Sequence, residues 1–415
     1  LHAGFNNKPG TLMAKFCVEG NQGFDQVAKE LGVPFKRCGK LVVGFSEEDK
    51  EKLIAMKEQG EKNGVKGLEI IGKDKIKEIE PNIDGEFAMW SKTTGILNPF
   101  LLTIALAENA AANGAEYYFG NEVIDIKRVD DIYNIKTVKD TYKTRWVVNA
   151  AGLYSDKVSK MLRIDDYTIH PCRGEYFILD EKVGSKLSLP AYPVPNPKEG
   201  GLGIHLTPTI DGNVFIGPSS EYIDERDDYS ATQKIMDLLI KDGGRIFPHI
   251  RREDFIRNFA GIRPKLASKE EGGYHDFVIE MRDEAPNVIN LVGIESPGLT
   301  SSTPIAKYVV SLLKQKEELT ENENFNPIRK PIVTFNDKSV EEKEALIKEN
   351  PDYGEVICRC QTITKAEILE AINNPLGVET LTGIKYRCRA MMGRCQGGYC
   401  ETRIAGLLEE VKHKN

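Results

Sequence analysis

The chain has 415 residues, 40% hydrophobic and 29% charged, a balance that excludes disorder and a continuous coiled coil. Its 56 basic and 63 acidic residues leave a net charge of -7, which excludes a strongly basic nucleic-acid binder on bulk electrostatics. No apolar run approaches the roughly 18 to 20 residues of a membrane span, so membrane contact is expected only through a partner. At roughly 150 residues per domain, two or three domains are expected.

In chain order, residues 47–63 (EEDKEKLIAMKEQGEKN) predict a helix with a charged, solvated face. Residues 100–113 (FLLTIALAENAAAN) predict a buried helix that closes on Gly114 and steps into a strand, AEYYFG, at 115–120. EVIDIKRV, a turn at Asp130–Asp131 and YNIKTVKD predict a hairpin. TRWVVNAAG reads as an apolar strand running into a small-residue turn and then a helix over about 155–161. Residues 171–290 are strand-rich. RGEYFILD alternates, GLGIHLTPTIDGNVFIGPS reads as two strands around an Asp-Gly turn, and HDFVIEM and NVINLVG follow. A helix is expected at about 304–316. The charged stretch 317–350, with Pro327 and Pro331, reads as a linker with a short helix.

The eight cysteines are unevenly placed. Cys17, Cys38 and Cys172 are scattered, whereas Cys358, Cys360, Cys388, Cys395 and Cys400 crowd into the C-terminal segment. Clustered cysteines in a long chain point to a metal site in a reducing, cytoplasmic compartment rather than to a disulfide scaffold. Cys358-x-Cys360 and Cys395-x4-Cys400 form two close thiolate pairs that can enclose a soft metal. Zinc competes with iron-sulfur on this count, although its structural sites usually use C-x2-C. Gly397 and Gly398 let backbone amides face the sulfur, and Arg359, Arg387, Arg389 and Arg394 surround it with positive charge. CRC and TGIKYRCRAMMGRCQGGYC together resemble the bacterioferritin-associated-ferredoxin-like [2Fe-2S] domain, a small helical module. The resemblance assigns the cluster to Cys358, Cys360, Cys395 and Cys400 and leaves Cys388 as a packed thiol.

Upstream, composition and periodicity give only an α/β protein with a strand-rich insert. LHAGF (1–5), TGILNP (94–99), VVNAAGLYSD (147–156), RGEYF (173–177), HLTPTIDGNVFIGPS (205–219), GIRPK (261–265) and LVGIESPGLTSS (291–302) occur in that order. Together they resemble the FAD-dependent oxidoreductases of the D-amino-acid-oxidase-like superfamily, in the branch of glycerol-3-phosphate and L-2-hydroxyglutarate dehydrogenases. The fold class implied is α/β: a Rossmann-like FAD-binding domain interleaved with an antiparallel-sheet substrate domain, plus the small helical [2Fe-2S] domain. The body is expected at 1–325. Its FAD-binding segments would be about 1–35, 95–165 and 255–320, and its substrate segments about 36–94 and 166–254. A linker follows at 326–350, and the ferredoxin-like domain at 351–415. Such proteins open with a strand and a G-x-G-x-x-G turn; no such motif occurs in this sequence. The expectation is therefore a chain that begins about 40 to 50 residues into the family pattern and binds FAD weakly as it stands.

By motif, the resemblance places Ala3 and Gly4 against the flavin, Val123 against the adenine, and Ala150, Ala151 and Gly152 near the adenosine and pyrophosphate. Gly293, Ile294, Glu295, Ser296, Gly298, Leu299 and Thr300 fall under the ribityl and pyrimidine end, where a helix start offers free N–H groups. Oxidation of an alcohol needs a base, and a neutral histidine suits it near pH 7. His2 and His205 are the candidates, ahead of His170, His249, His275 and a solvated His413. An anionic substrate needs a fixed cation, with Arg263 ahead of Arg173, and Tyr176 can add a hydroxyl. Glycerol-3-phosphate dehydrogenases commonly carry an Arg-Tyr pair after their histidine segment; here that region reads GFNNKPG, with Lys8 as a substitute. The implied activity is oxidation of glycerol 3-phosphate, with electrons passed through the cluster to an electron-transfer or second flavoprotein subunit. The alternatives are a 2-hydroxy acid such as L-2-hydroxyglutarate, an amine on the same fold, and a non-catalytic docking subunit.

Overall fold

The computed structural model describes residues 1–195 and 203–413. They form two compact units. One comprises Leu1–Phe24, Lys36–Ile96 and Tyr118–Thr320; the other comprises Asp25–Phe35, Leu97–Tyr117 and Glu321–Asn415. The architecture is α/β, with mixed parallel and antiparallel pairing and a small helical C-terminal region.

The first unit is organised by a nine-stranded sheet. Its longest pairing is antiparallel, His170–Leu179 against Phe255–Lys265, in register from His170 opposite Lys265 to Leu179 opposite Phe255, with one irregularity. Val214–Gly217 and Glu221–Tyr222 also pair with His170–Leu179. The strand Lys40–Gly44 is buried along its whole length. It lies between Phe87–Ser91, antiparallel, and Ala191–Pro193, parallel. Alternate side chains of a strand face opposite ways. Leu41 and Val43 join one core cluster with Leu206, Ile216 and Phe247, while Val42 joins another with Phe5, Leu53, Met89 and Tyr192.

A smaller sheet pairs Ala285–Val292 with Val278–Arg282, antiparallel, and with Val147–Asn149, parallel. It leads into the helix Gly298–Leu313. This helix starts six residues before the expected position, because Pro304 lies inside it rather than at its first turn. A proline has no N–H to give the carbonyl four residues back, here that of Thr300. Gly20, in the helix Leu12–Leu31, packs against that carbonyl so closely that a Cβ would fall 1.9 Å from the oxygen.

The predicted helices at 47–63 and 155–161 form as Glu47–Lys62 and Ser155–Met161. The hairpin forms as Val123–Val129 and Ile132–Thr137, with Asp130 at φ 55° in the turn. The Asp-Gly turn joins His205–Pro208 to Val214–Gly217; residues 201–202 of that predicted pair lie outside the described residues. AEYYFG is a correction: 115–120 is irregular. Its alternation is poor, Tyr117, Tyr118 and Phe119 are all exposed, and so no face of it is buried as a strand's would be.

In the second unit, Val356–Cys358 pairs with Ile363–Thr364. The helices Lys365–Ile372, Leu381–Cys388 and Glu401–Lys412 enclose a core of Ile357, Ile368, Ile384 and Ile404. Thr364 and Glu367 form a capping box, which satisfies two orphan N–H groups reciprocally. The helix Pro99–Ala112, read from sequence as part of an FAD-binding segment, belongs to this unit. Its Phe100 stacks on Tyr386 at 4.1 Å. Its buried Glu108 binds Arg329 at 2.7 Å and Arg387 at 3.1 Å.

Candidate active site and cluster site

In the first unit, a cavity of about 430 Å³ is lined by His2, Phe5, Lys40, Tyr192, Tyr274 and Ser296, among others. The segment leading into it is fixed mainly by side-chain amides. Asn21 Nδ2 donates to the carbonyl of His2 (2.9 Å), Asn63 Nδ2 to those of Gly4 (3.0 Å) and Asn7 (2.8 Å), and Gln59 Nε2 to that of Phe5 (3.1 Å). The His2 N–H donates to Thr300 Oγ1 at 3.1 Å. The helix Leu12–Leu31 is capped from a distance: Asp276 accepts the N–H groups of Leu12 and Met13, each at 2.8 Å.

His2 lines the cavity, with Nε2 3.5 Å from Ser296 Oγ. Burial first, then the nearby Lys40 charge, holds its pKa well below the ordinary histidine value. The ring is therefore neutral at pH 7. His205 is not in the cavity wall. It stacks on Tyr192 (3.6 Å, 11°), and its Nδ1 faces the carbonyl of Gly203 at 2.8 Å. Burial lowers its pKa to about 3.

The two arginines fare differently. Arg173 is buried among Asp228 (2.5 Å), Glu221 (2.7 Å) and Glu175 (3.6 Å). Three carboxylates already neutralise it, so it offers no net charge to an anion. Arg263 donates through Nη2 to the carbonyls of Ser219 (2.8 Å) and Arg173 (3.3 Å), and its buried Nε has no partner among the described residues. Tyr176 packs flat on Phe259 at 4.9 Å, as a sheet residue. Sequence reasoning missed Lys40, Tyr192, Tyr274 and Asp276. The available signal was Lys40 opening the otherwise apolar run KLVVG.

On the cofactor side, Val148, Ala150 and Ala151 are exposed at the carboxyl end of Val147–Asn149, where open α/β sheets receive ligands. The turn is held from beneath: the Ala151 N–H donates to Asn149 Oδ1, whose amide donates to Asn290 Oδ1 at 2.8 Å. Gly152 sits at φ 55° and Val123 opens its strand half-buried. Gly293, at φ 69°, turns the chain toward Ile294–Ser296. Glu295 is buried and paired with Lys265 at 3.3 Å, and burial pushes its carboxyl pKa up. Ala3 and Gly4 are buried beside the cavity, and Leu299 is exposed in the first turn of Gly298–Leu313. That helix has no side-chain cap, and the buried Ser301 hydroxyl in its first turn has no partner among the described residues. Unused donors at a helix start suit the polar edge of a flavin, so the residues present fit that end of FAD.

The cluster residues converge in the second unit. Cys358 Sγ lies 3.9 Å from Cys360 Sγ, which lies 3.7 Å from Cys395 Sγ, and Cys400 Sγ contacts Cys358. Sulfur ligands at about 2.3 Å in a tetrahedron stand about 3.8 Å apart. Cys358 and Cys400 are buried, Cys360 and Cys395 exposed. Backbone N–H groups of Tyr399 and Gly397 bond the Cys395 sulfur and lower its pKa. A Cβ on Gly393 would fall 2.4 Å from Cys360 Sγ; the backbone must be bare there. Cys388 is buried in the core, its thiol donating to the Ile384 carbonyl. The four thiols and the amides aimed at them fit an iron-sulfur cluster.

Comparison with known proteins agrees with both sites. Residues 1–312 match the family described as FAD dependent oxidoreductase, and residues 356–410 match the BFD-like [2Fe-2S] binding domain. The chain belongs to the FAD dependent oxidoreductase family. It carries a BFD-like [2Fe-2S] domain, and its cofactors are FAD and a [2Fe-2S] cluster. It is 41% identical over 411 residues to a glycerol 3-phosphate dehydrogenase of Caloramator mitchellensis, covering 98% of this chain and 84% of that one. It is 31% identical over 340 residues to an L-2-hydroxyglutarate dehydrogenase of Indibacter alkaliphilus, covering 74% and 84%. The dithionite-reduced L-alpha-glycerophosphate oxidase of Mycoplasma pneumoniae, with FAD bound, superposes with a TM-score of 0.72 at 27% identity over 79% of this chain and 86% of that one. This oxidoreductase thus belongs to a group acting on CH–OH and CH–NH2 substrates, and the docking-subunit alternative gives way to an enzyme. Among the described residues no helix is long and apolar enough to cross a membrane.

Proposed function

We propose that this oxidoreductase oxidises glycerol 3-phosphate and passes the electrons through its [2Fe-2S] domain to a protein partner, an electron-transfer protein or a second flavoprotein subunit. The observation that carries this reading is the likeness to a glycerol 3-phosphate dehydrogenase over 98% of the chain, through both modules. When bound, FAD supplies a two-electron acceptor for the alcohol C–H hydride, and the cluster supplies one-electron carriage. The residues provide the rest. His2, neutral and in the cavity wall, accepts the hydroxyl proton; His205, stacked beneath Tyr192, supports the wall. Arg263 adds positive charge with no carboxylate bonded to it among the described residues. Eight free cysteines suit a reducing compartment such as the cytoplasm.

A second reading, L-2-hydroxyglutarate, is favoured by the 31% identical relative and by GFNNKPG lacking the arginine common in the phosphate-binding enzymes. Anaerobic bleaching of the flavin by glycerol 3-phosphate, L-2-hydroxyglutarate and small amino acids separates the readings. Bleaching by glycerol 3-phosphate alone is expected, and bleaching by an amino acid alone would overturn the substrate class.

A further inference from the structure

We propose that Lys40 binds the anionic group of the substrate and sets the preference for a charged over a neutral alcohol. The inference rests on the reading of this chain as a dehydrogenase of small anionic alcohols.

Strand alternation puts Lys40 on the same face as Val42, and both line the cavity with His2. Lys40 is 4% exposed. Its Nζ stands 3.9 Å from the Tyr192 ring centroid and 4.6 Å from that of Phe5. His205 stacks 3.6 Å from the same Tyr192 centroid. Two groups that close cannot share one face, so the ammonium and the imidazole occupy opposite faces of Tyr192. The ammonium is thereby held by ring faces, which attract a cation, and its position is fixed without an acidic partner.

No ion pair or hydrogen bond engages Lys40 Nζ among the described residues. The cavity wall holds one carboxylate among its described residues, Asp276, and its two oxygens accept the N–H groups of Leu12, Met13 and Phe277. The other titratable groups acting on Lys40 and its neighbours are His2, His205, Cys17 and the Leu1 amine. Burial keeps both histidines neutral and the Cys17 thiol protonated, its pKa pushed up to about 12. A buried ammonium facing only neutral or positive groups is unfavourable unless a ligand supplies the counter-charge. Desolvation accordingly lowers its pKa to about 7. Lysine is a compact point charge suited to phosphate or carboxylate. With His2 in the same wall, an anion at Lys40 orients the substrate's hydroxyl toward the base.

The test uses the holoenzyme with Lys40→Met and Lys40→Arg. Steady-state kinetics with glycerol 3-phosphate are combined with sulfate affinity, read from perturbation of the flavin spectrum. Sulfate has no titration of its own in this range. Lys40→Met is expected to raise KM and the sulfate Kd at least about 50-fold with kcat changed by less than about threefold, and Lys40→Arg to restore most of the affinity. In the wild type, sulfate affinity should fall as pH rises through about 7, because the anion prefers the protonated amine; Lys40→Met should lose that dependence. An unchanged KM and sulfate Kd in Lys40→Met, or a loss of kcat at constant KM, would overturn the proposal. If Lys40→Met fails to fold, a flat wild-type sulfate profile across about pH 6 to 8.5 overturns it instead. Sulfate binding that depends on Lys40, without turnover of glycerol 3-phosphate, would sink the substrate assignment and leave Lys40 standing. Turnover with a KM indifferent to Lys40 would do the reverse.

Discussion

His2 and His205 share a cavity environment and differ in task. His2 Nε2 reaches Ser296 in the wall, whereas His205 is stacked under Tyr192 and tied to Gly203. Replacing His2 by Gln should lower kcat about 100- to 10,000-fold, the range for losing a general base, while FAD content stays constant by absorbance. Because His2 titrates well below 6.5, kcat/KM should show no loss near pH 6.5 and should fall only at lower pH. His205 bears on stability. Its pKa is about 3 when folded, against the ordinary histidine value of 6.5 when unfolded, so below pH 6.5 the unfolded chain takes up a proton that the folded chain refuses. Stability is complete above pH 6.5 and declines as pH falls toward 3. His205→Phe keeps a ring against Tyr192 and should flatten that decline, by up to a few kcal/mol, in thermal melts recorded from neutral to acid pH.

At the scale of elements, close contacts decide which segments position the chemistry. The Gly298–Leu313 helix meets Gly20 at the carbonyl that Pro304 leaves unbonded, and Thr300 in its first turn holds the backbone of His2. In the second unit, Glu108 is the shared anion of two buried arginines. Removing one member of a buried ion network leaves the others uncompensated, at a cost of about 3 to 5 kcal/mol. Glu108→Ala should therefore destabilise the cluster-bearing unit by that order. Urea denaturation followed by cluster absorbance would read the shift, and Glu108→Gln should fall between.

For the whole molecule, two redox modules lie in one chain, and each can be silenced without the other. Cys395 is an exposed cluster ligand whose sulfur receives two backbone N–H groups. Cys395→Ser should strip or weaken the [2Fe-2S] spectrum and abolish reduction of a one-electron protein acceptor. Anaerobic flavin bleaching by substrate should persist within about threefold. If acceptor reduction survived in a cluster-free variant, the cluster would not lie on the electron path.

Much of this was legible in the linear chain because it is local. Cys358-x-Cys360 and Cys395-x4-Cys400 carry their geometry in their spacing, the helices over Glu47–Lys62 and Ser155–Met161 carry theirs in caps and periodicity, and the ordered flavoprotein motifs announce the family. What was not legible depends on long-range burial. Arg173 and Arg263 are alike as residues, and only the surrounding carboxylates make the first neutralised and leave the second charged. The helix Pro99–Ala112 has an apolar pattern that fits any core; Phe100 on Tyr386 and Glu108 between Arg329 and Arg387 decide which. Lys40 is one lysine among many in sequence. The sequence by itself determined the family, the two cofactors and the four thiol ligands, since these rest on spacing and ordered motifs. Only the tertiary structure decided which cation is buried without a partner, because desolvation and charge pairing are properties of neighbours distant in the chain.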